Sequence, residues 1–202
     1  MADRVSPAEQ SRTYGNGPGP AYRARGVEFK LVDVTDLGQV VSVTAGAHAI
    51  VHMAAYPSPG PVTEDIVFRT NVMNNWNILE AAEMNGIKKI VMASSINALG
   101  ASFGDHQPVD YFPLDENHRT RAQDAYAQSK WIGEQMGDAF ARRRPGGVQI
   151  ASFRFHLLVG PTEFGMDGMG PSHWLSDPDG AEAASEKEFF GWTGKSVASA
   201  HS

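Results

Sequence analysis

Short apolar runs alternate with longer helical patterns along the middle of this chain, and this alternation constrains the fold more than any other feature. The patterns predict strands over residues 27–32, 48–54, 89–93 and 148–155, and helices over residues 37–45, 64–85 and 125–143. Strands that alternate with helices form right-handed units with parallel strands. The run at 48–54 is almost continuously apolar, which is typical of a strand buried on both faces. The sequence therefore predicts an α/β fold with a parallel sheet.

The two ends of the chain differ from this middle part. Residues 14–22 (YGNGPGPAY) hold three glycines and two prolines, so we predict a loop over residues 1–26. After Pro161 the chain is again rich in Gly, Pro, Asp and Ser. The predicted organisation is an N-terminal loop at 1–26, a folded domain at 27–161 and an irregular C-terminal tail at 162–202.

Charge and composition exclude several classes of function. The chain carries 17 Lys and Arg against 23 Asp and Glu and has no long basic run, so we expect no nucleic-acid partner. Cysteine is absent, which excludes disulfides and thiolate zinc sites. His48 and His52 have no nearby carboxylates at ligand spacing, so we predict no metal site. Since no membrane-length apolar run and no signal-peptide core occur, we expect a cytoplasmic protein.

Several residues that could bind a ligand follow directly after the predicted strands. In an open parallel sheet the ligand site lies at the carboxyl ends of the strands. The residues at those ends are Asp33, Ala54, Ala55, Ser94, Ser95, Phe155 and His156. We therefore expect these residues to share one edge of the sheet.

Tyr126 and Lys130 form the most specific local signal. Their i, i+4 spacing puts a phenol and an ammonium on the same face of the predicted helix. A neighbouring ammonium stabilises a phenolate, so we expect Lys130 to lower the pKa of Tyr126. With a hydroxyl from Ser95 to hold a substrate oxygen, this pair would be a general acid/base for carbinol–carbonyl chemistry. The plainer alternative is a half-buried ring beside a lysine whose stem packs along it.

Longer motifs, in a fixed order, resemble one family. These motifs are LVDVTDL, AIVHMAAYPSP, RTNVMNNWNILEAAEMNGIKKIVMASS, FPLDENH and DAYAQSKWIGEQ. From about residue 27 to residue 161 the chain resembles the extended short-chain dehydrogenase/reductase superfamily, and within it the NAD-dependent epimerase/dehydratase family. The resemblance implies a Rossmann-like doubly wound sheet. It also implies an enzyme that uses NAD or NADP on a sugar or nucleotide sugar.

The resemblance implies a catalytic role for three residues. Ser95 falls where the family carries its catalytic serine or threonine, with Ser94 as the near alternative. Tyr126 falls on the general acid/base. Lys130 falls on the residue that binds the nicotinamide ribose and lowers the tyrosine pKa.

The resemblance also implies a set of cofactor contacts. They fall on Asp3, Asp33, Val34, Met53, Ala54, Ala55, Asn71, Ser94, Tyr126, Lys130, Phe155 and His156. The residues at positions 33–34 fall where the family contacts adenine, and those at 53–55 line the phosphates and ribose. Asn71 matches an asparagine that ties the long helix to the active-site strand, and the residues at 155–156 flank the nicotinamide. The charge of Asp3 favours NAD, although the neighbouring Arg4 could bind the 2′-phosphate of NADP.

Each of these positions has a plainer interpretation. Asp33 could simply begin a turn. Asn71 could be a buried amide whose hydrogen bonds are satisfied, and His156 could be a packed histidine rather than a catalyst.

The two long helices at 64–85 and 125–143 are candidates for a homodimer interface, as in many members of the family.

The chain departs from the family pattern at both ends. The family opens with a strand, a glycine-rich turn and a helix, and no such unit occurs here. The glycines at 15–19 do not replace it, because no strand precedes them and Pro18 and Pro20 remove two amide donors. We therefore expect an incomplete sheet that lacks the first βα unit, with residues 162–202 a remnant of the substrate-binding region. Two hypotheses follow: a working enzyme, or an inactive fragment or interaction module that cannot bind cofactor.

Overall fold

Strands and helices alternate in the computed structural model, which describes residues 2–3, 28–60, 62–100, 109–143, 146–156 and 198–200. The strands are β1 (Ala2–Asp3), β2 (Lys30–Leu31), β3 (Ile50–His52), β4 (Lys89–Ser95), β5 (Gln149–Phe155) and β6 (Ala198–Ala200). The α-helices are α1 (Leu37–Thr44), α2 (Glu64–Met84) and α3 (Ala125–Arg143), and a 3-10 helix spans Ile96–Leu99. The predicted α/β class is confirmed.

The strands form two hydrogen-bonded sheets. β3, β4 and β5 are parallel, and β6 runs antiparallel to β5 at the edge. β1 and β2 pair in parallel as a separate sheet. Among the described residues no strand joins β1 to β3, in agreement with an incomplete doubly wound sheet.

Two short strands lie within the segments that composition alone predicted to be irregular. β1 falls within the loop predicted over 1–26, and β6 falls within the tail predicted over 162–202. Each strand is only two or three residues long, which is too short for its pattern of apolar and polar residues to identify it as a strand. They are strands because a neighbouring strand offers a hydrogen-bonding ladder. Most of the two predicted irregular segments lies outside the described residues.

Side chains and a glycine explain where the helices begin and end. Asp36 accepts a hydrogen bond at 3.0 Å from an amide in the first turn of α1, and Asp124 does the same for α3 at 2.8 Å. α2 opens with Glu64 and Asp65, which are favourable at the positive end of a helix. Gly86, at φ +69°, ends α2 in the left-handed conformation that glycine adopts without strain.

The three helices pack with the sheet around one core. Val40 of α1, Leu79 of α2 and Phe140 of α3 are at most 2% exposed. They belong to the same apolar cluster as Ile90 of β4 and Ile150 of β5. This core holds α3 against the sheet at the strands that carry the site. Within the described ranges, no helix has both the length and the hydropathy needed to cross a membrane.

The prediction that the strand at 48–54 is buried on both faces is wrong. Ile50 and His52 are buried, but Val51 and Met53 are 68% and 50% exposed. Successive side chains of a strand point to opposite faces, and the helices cover only the face of Ile50. In the described part of the chain, the other face of β3 is open.

Candidate active site

The carboxyl ends of β4 and β5 lie side by side and form the floor of the site. Ser95, the last residue of β4, is in register with Phe155, the last residue of β5. Lys130 of α3 reaches this edge, because its Nζ donates a hydrogen bond at 2.7 Å to the carbonyl oxygen of Ala93. The contact connects the helix to β4, two residues before Ser95.

Gly100 allows the start of α3 to lie beside Ser95. It has φ +84°, and a Cβ at this position would collide with the carbonyl oxygen of Arg121. The amide of Arg121 donates to the carbonyl oxygen of Leu99 at 3.1 Å, so this loop passes directly over the 3-10 helix. The loop then leads into Asp124, which caps α3.

Ser95 and Tyr126 meet through their side chains. The Ser95 hydroxyl oxygen accepts a hydrogen bond from the Asn97 amide at 3.2 Å, which starts the 3-10 helix. The same hydroxyl lies near the Tyr126 phenol and lowers its pKa. Ser95 and Tyr126 are each 6% exposed. The two hydroxyl groups are therefore held together at the carboxyl edge of β4.

The pKa of Tyr126 is raised, which is opposite to the expected direction. Burial of the phenol is the main cause, the hydroxyl of Ser95 lowers the pKa, and the charge of Asp124 raises it. The ammonium of Lys130 lies 5.6 Å from the centroid of the Tyr126 ring. Desolvation of the phenolate therefore outweighs the favourable neighbours.

Lys130 is an unusually buried ammonium group. Its side chain is 8% exposed, and burial lowers its pKa to about 8. An ammonium has three N–H donors, and within the described residues one of them is used, by the carbonyl oxygen of Ala93. The remaining donors suit a ligand with hydroxyl groups, such as a ribose.

Ser94 has a different environment from Ser95. Its hydroxyl donates a hydrogen bond to Oε1 of Glu134 on α3, and the side chain is buried. Glu134 also receives two hydrogen bonds from Arg154 of β5. Sequence reasoning did not identify Glu134 or Arg154. The available signal was the i, i+4 spacing of Lys130 and Glu134, which puts both on one helix face.

Asn71 bridges α2 to its neighbours. Its amide oxygen accepts from the Tyr56 amide at 2.8 Å, and its Nδ2 donates to the Tyr56 carbonyl oxygen and to Ser129 Oγ, both at 3.1 Å. Ser129 Oγ donates in turn to the carbonyl oxygen of Tyr126 at 2.7 Å. Asn71 thus ties α2 to the loop after β3 and to the first turn of α3.

Two further asparagines of α2, which sequence reasoning also missed, hold the ends of other strands. Asn74 Nδ2 donates to the carbonyl oxygen of Ala54 at 2.9 Å, and Asn77 Nδ2 donates to that of Val34 at 3.1 Å. These carbonyls belong to the residues expected to line the cofactor. The asparagine-rich stretch of α2 was the signal, because four buried amides in a helix each need partners.

The other predicted cofactor contacts lie in several environments. The Asp33 carboxylate accepts hydrogen bonds from the amide and hydroxyl of Thr35, at 2.9 and 2.7 Å, so this residue does begin a turn. Met53 is exposed, and Ala54 and Ala55 are half-buried. Asp3 ends β1, but its side chain lies outside what the structure describes.

At the end of β5, Phe155 stacks on Phe153 with ring centroids 5.9 Å apart. His156 is partly open to solvent, and desolvation of the rest of the residue lowers its pKa. Phe155 therefore brings an aromatic ring to the edge that also carries Ser95, Tyr126 and Lys130. A nicotinamide and its ribose fit this edge, because it combines that ring with the available donors of Lys130. No group of acidic or histidine side chains in the described ranges could hold a metal ion.

The chain is similar to sugar dehydrogenases. The NAD-dependent glucose-6-phosphate dehydrogenase of Haloferax volcanii is 34% identical over 161 residues, which cover 75% of this chain and 59% of that protein. The L-arabinose 1-dehydrogenase (NAD(P)(+)) of the same organism is 26% identical over 140 residues, 66% of this chain and 54% of that protein. The chain thus spans little more than half the length of these curated relatives.

The fold and the sequence pattern agree on one family. A crystal structure of UDP-galactose 4-epimerase is 30% identical, with a TM-score of 0.52 over 63% of this chain and 40% of that chain. UDP-glucose 4-epimerase from Brucella ovis in complex with NAD is 22% identical, with a TM-score of 0.58 over 69% and 41%, and this likeness concerns the fold alone. The profile described as the NAD dependent epimerase/dehydratase family matches residues 7–176. Because that match covers most of the sequence, the chain belongs to the NAD-dependent epimerase/dehydratase family.

Proposed function

We propose that this protein is an NAD(P)-dependent oxidoreductase or epimerase that acts on a carbinol or carbonyl group of a sugar or nucleotide sugar. The observation that carries the proposal is the meeting of Ser95, Tyr126 and Lys130 at one edge of β4. The names of its relatives, a glucose-6-phosphate dehydrogenase and a UDP-galactose 4-epimerase, support the substrate class.

Each of the three residues has a distinct role in the proposed reaction. The nicotinamide, when bound, supplies the carbon that accepts or donates hydride. Tyr126 exchanges a proton with the substrate oxygen, and Ser95 donates a hydrogen bond to the same oxygen. Lys130 binds the ribose hydroxyls through its remaining N–H donors and keeps the phenol aligned.

The raised pKa of Tyr126 favours one direction of proton transfer at neutral pH. A phenol whose pKa lies above its usual value stays protonated, so it is ready to donate a proton to a carbonyl oxygen. Alcohol oxidation needs the phenolate instead. We therefore expect oxidation by this protein to accelerate with rising pH, while reduction is favoured near neutrality.

NAD is the favoured cofactor because of the charge at the end of β1. A carboxylate at Asp3 would accept hydrogen bonds from ribose hydroxyls and would repel a 2′-phosphate. The change Asp3→Asn should therefore narrow the difference between the dissociation constants for NAD⁺ and NADP⁺. An unchanged ratio would contradict the role of Asp3.

The alternative is a protein that keeps the half-sheet but does not bind cofactor. One observation favours it: in the described part of the chain, no strand joins β1 to β3. On this hypothesis the Ser95–Tyr126 contact serves only to pack α3 on the sheet.

Titration with NAD⁺ and NADP⁺ separates the two functions. Trp131 follows Lys130 directly, so its fluorescence should respond to cofactor. The proposed function requires saturable binding, which Lys130→Met should weaken. The matched control is Lys89→Met, which changes an exposed lysine at the opposite end of β4. A response that does not saturate at millimolar cofactor would refute the enzymatic function.

We also propose that the outer face of α2 and α3 forms a homodimer interface. Met73, Trp76 and Met84 of α2 are 45%, 39% and 62% exposed, and Trp76 packs edge-on against Phe140 of α3. Large exposed apolar side chains on one face are typical of an interaction site. Met84→Glu should lower the molar mass measured by light scattering. Leu31→Glu, at an equally exposed position on β2, should not.

A further inference from the structure

A buried ion pair joins the three elements that carry the site. Arg154 of β5 donates from Nε to Oε1 of Glu134 at 2.9 Å and from Nη2 to Oε2 at 2.8 Å. The side chains are 9% and 8% exposed. Ser94 of β4 donates a third hydrogen bond to Oε1. One carboxylate on α3 thus holds the ends of two adjacent strands.

Stability alone does not explain this cluster of buried charges. Two charges that leave water lose hydration free energy, and their attraction offsets that loss only with good geometry and satisfied hydrogen bonds. Here Nη1 of Arg154 is buried without a hydrogen-bond partner in the described residues. Well-packed apolar side chains would hold α3 on the sheet without that cost. What the ion pair adds is a defined orientation between its partners.

The position of each partner relates the cluster to the candidate active site. Glu134 lies one helical turn after Lys130, and Ser94 immediately precedes Ser95. Arg154 is in register with Ser94 across β4 and β5. A shift of β4 relative to α3 would therefore separate the Ser95 and Tyr126 hydroxyls.

We propose that Glu134 is a positioning residue: through Ser94 it fixes the end of β4 against α3, so that the Ser95 hydroxyl stays beside Tyr126. This inference rests on the proposed function for its relevance to the reaction. The contact between Ser95 and Tyr126 that it explains does not depend on that function. The hydrogen bonds of Glu134 in the described residues go to Arg154 and Ser94, so it acts on the site through these two partners.

The test removes the hydrogen bond from Ser94 to Glu134 and leaves the ion pair in place. Ser94→Ala should loosen the end of β4 and move the Ser95 hydroxyl away from Tyr126, which should raise the pKa of Tyr126 further. The readout is the ultraviolet titration of tyrosinate, with Tyr126→Phe as the reference that isolates this phenol. The matched control is Ser152→Ala, which changes a serine of β5 that is equally buried and lies outside the cluster.

A second readout connects the positioning to turnover. Ser94→Ala should lower kcat at least tenfold, and its kcat–pH profile should shift to higher pH. Ser94→Thr, which keeps the hydroxyl, should restore both. A Tyr126 titration that is the same in Ser94→Ala and wild type would overturn the positioning role. Absence of cofactor binding in the wild type would refute the proposed function instead, and the titration would still decide the positioning.

Discussion

The end of the molecule that carries β4 and β5 differs sharply from the end that carries β1 and β2, which form a separate sheet. β4 and β5 pair over seven residues, and buried polar side chains at their carboxyl ends reach across to α3. β1 and β2 pair over two residues, and Leu31 of β2 is 62% exposed. The chemistry-bearing residues lie at the first end, where each is fixed by several partners. The side chains of the candidate site are therefore placed precisely because each makes several hydrogen bonds or packing contacts with its neighbours.

The largest expected effect comes from the proton-transfer residue at the dense end. Tyr126→Phe removes one hydroxyl and should reduce turnover by about 10²- to 10⁴-fold, because general acid–base catalysis contributes about that factor. Cofactor affinity, measured by fluorescence titration, should change little. The control is Tyr111→Phe, which alters an exposed tyrosine in the loop before α3. Retained turnover in Tyr126→Phe would contradict the acid/base role.

The buried and exposed ion pairs give the next contrast. Arg154→Met leaves the Glu134 carboxylate buried without its partner, which should lower the free energy of unfolding by about 3–5 kcal/mol in denaturant melts. The double change with Glu134→Leu should recover part of that loss. Glu28 and Lys30 form an exposed ion pair at the other end, with side chains 76% and 51% exposed, so Glu28→Ala should lower the free energy of unfolding far less than Arg154→Met. Equal losses of unfolding free energy in Arg154→Met and Glu28→Ala would contradict the difference between the buried and the exposed ion pair.

His52 predicts a specific pH dependence of stability. Burial and the charge of Lys130 lower its pKa from 6.5 to about 4, although hydrogen bonds with Asn74 and Asn75 oppose the shift. Above pH 6.5 the imidazole is neutral in both folded and unfolded chains. As pH falls from 6.5 toward 4, only the unfolded chain binds a proton, so stability should fall by about 3 kcal/mol.

Urea melts across this pH range measure that loss. His52→Gln should abolish this part of the pH dependence, whereas His48→Gln, at an exposed position, should leave it intact. A wild-type stability that stays flat between pH 6.5 and 4 would show that His52 is not buried in its neutral form.

The smallest effect is expected at the sparse end. Leu31→Ala removes an apolar side chain that is already largely in water, so stability should change by no more than about 0.5 kcal/mol. Leu79→Ala, the same change at a fully buried position of α2, should cost about 2–5 kcal/mol in the same melts. Similar losses would mean that β2 is covered in solution.

Much of the long-range architecture could be predicted because it depends on local patterns. The helix at 125–143 was predicted with its observed bounds, since its periodicity is a local signal. The exposure of Val51 could not be predicted, because it depends on which elements cover the second face of β3. The same holds for β6, whose three residues become a strand only beside β5.

At the candidate site, sequence spacing identified Tyr126 and Lys130 because an i, i+4 pair shares a helix face in any helix. The family resemblance limited the serine to two neighbours at the end of β4. Only the tertiary structure distinguished them, since Ser94 turns toward Glu134 and Ser95 toward Tyr126. It also decided the direction of the Tyr126 pKa. Desolvation depends on all the residues that pack around a group, and the fold brings these residues together from distant parts of the chain.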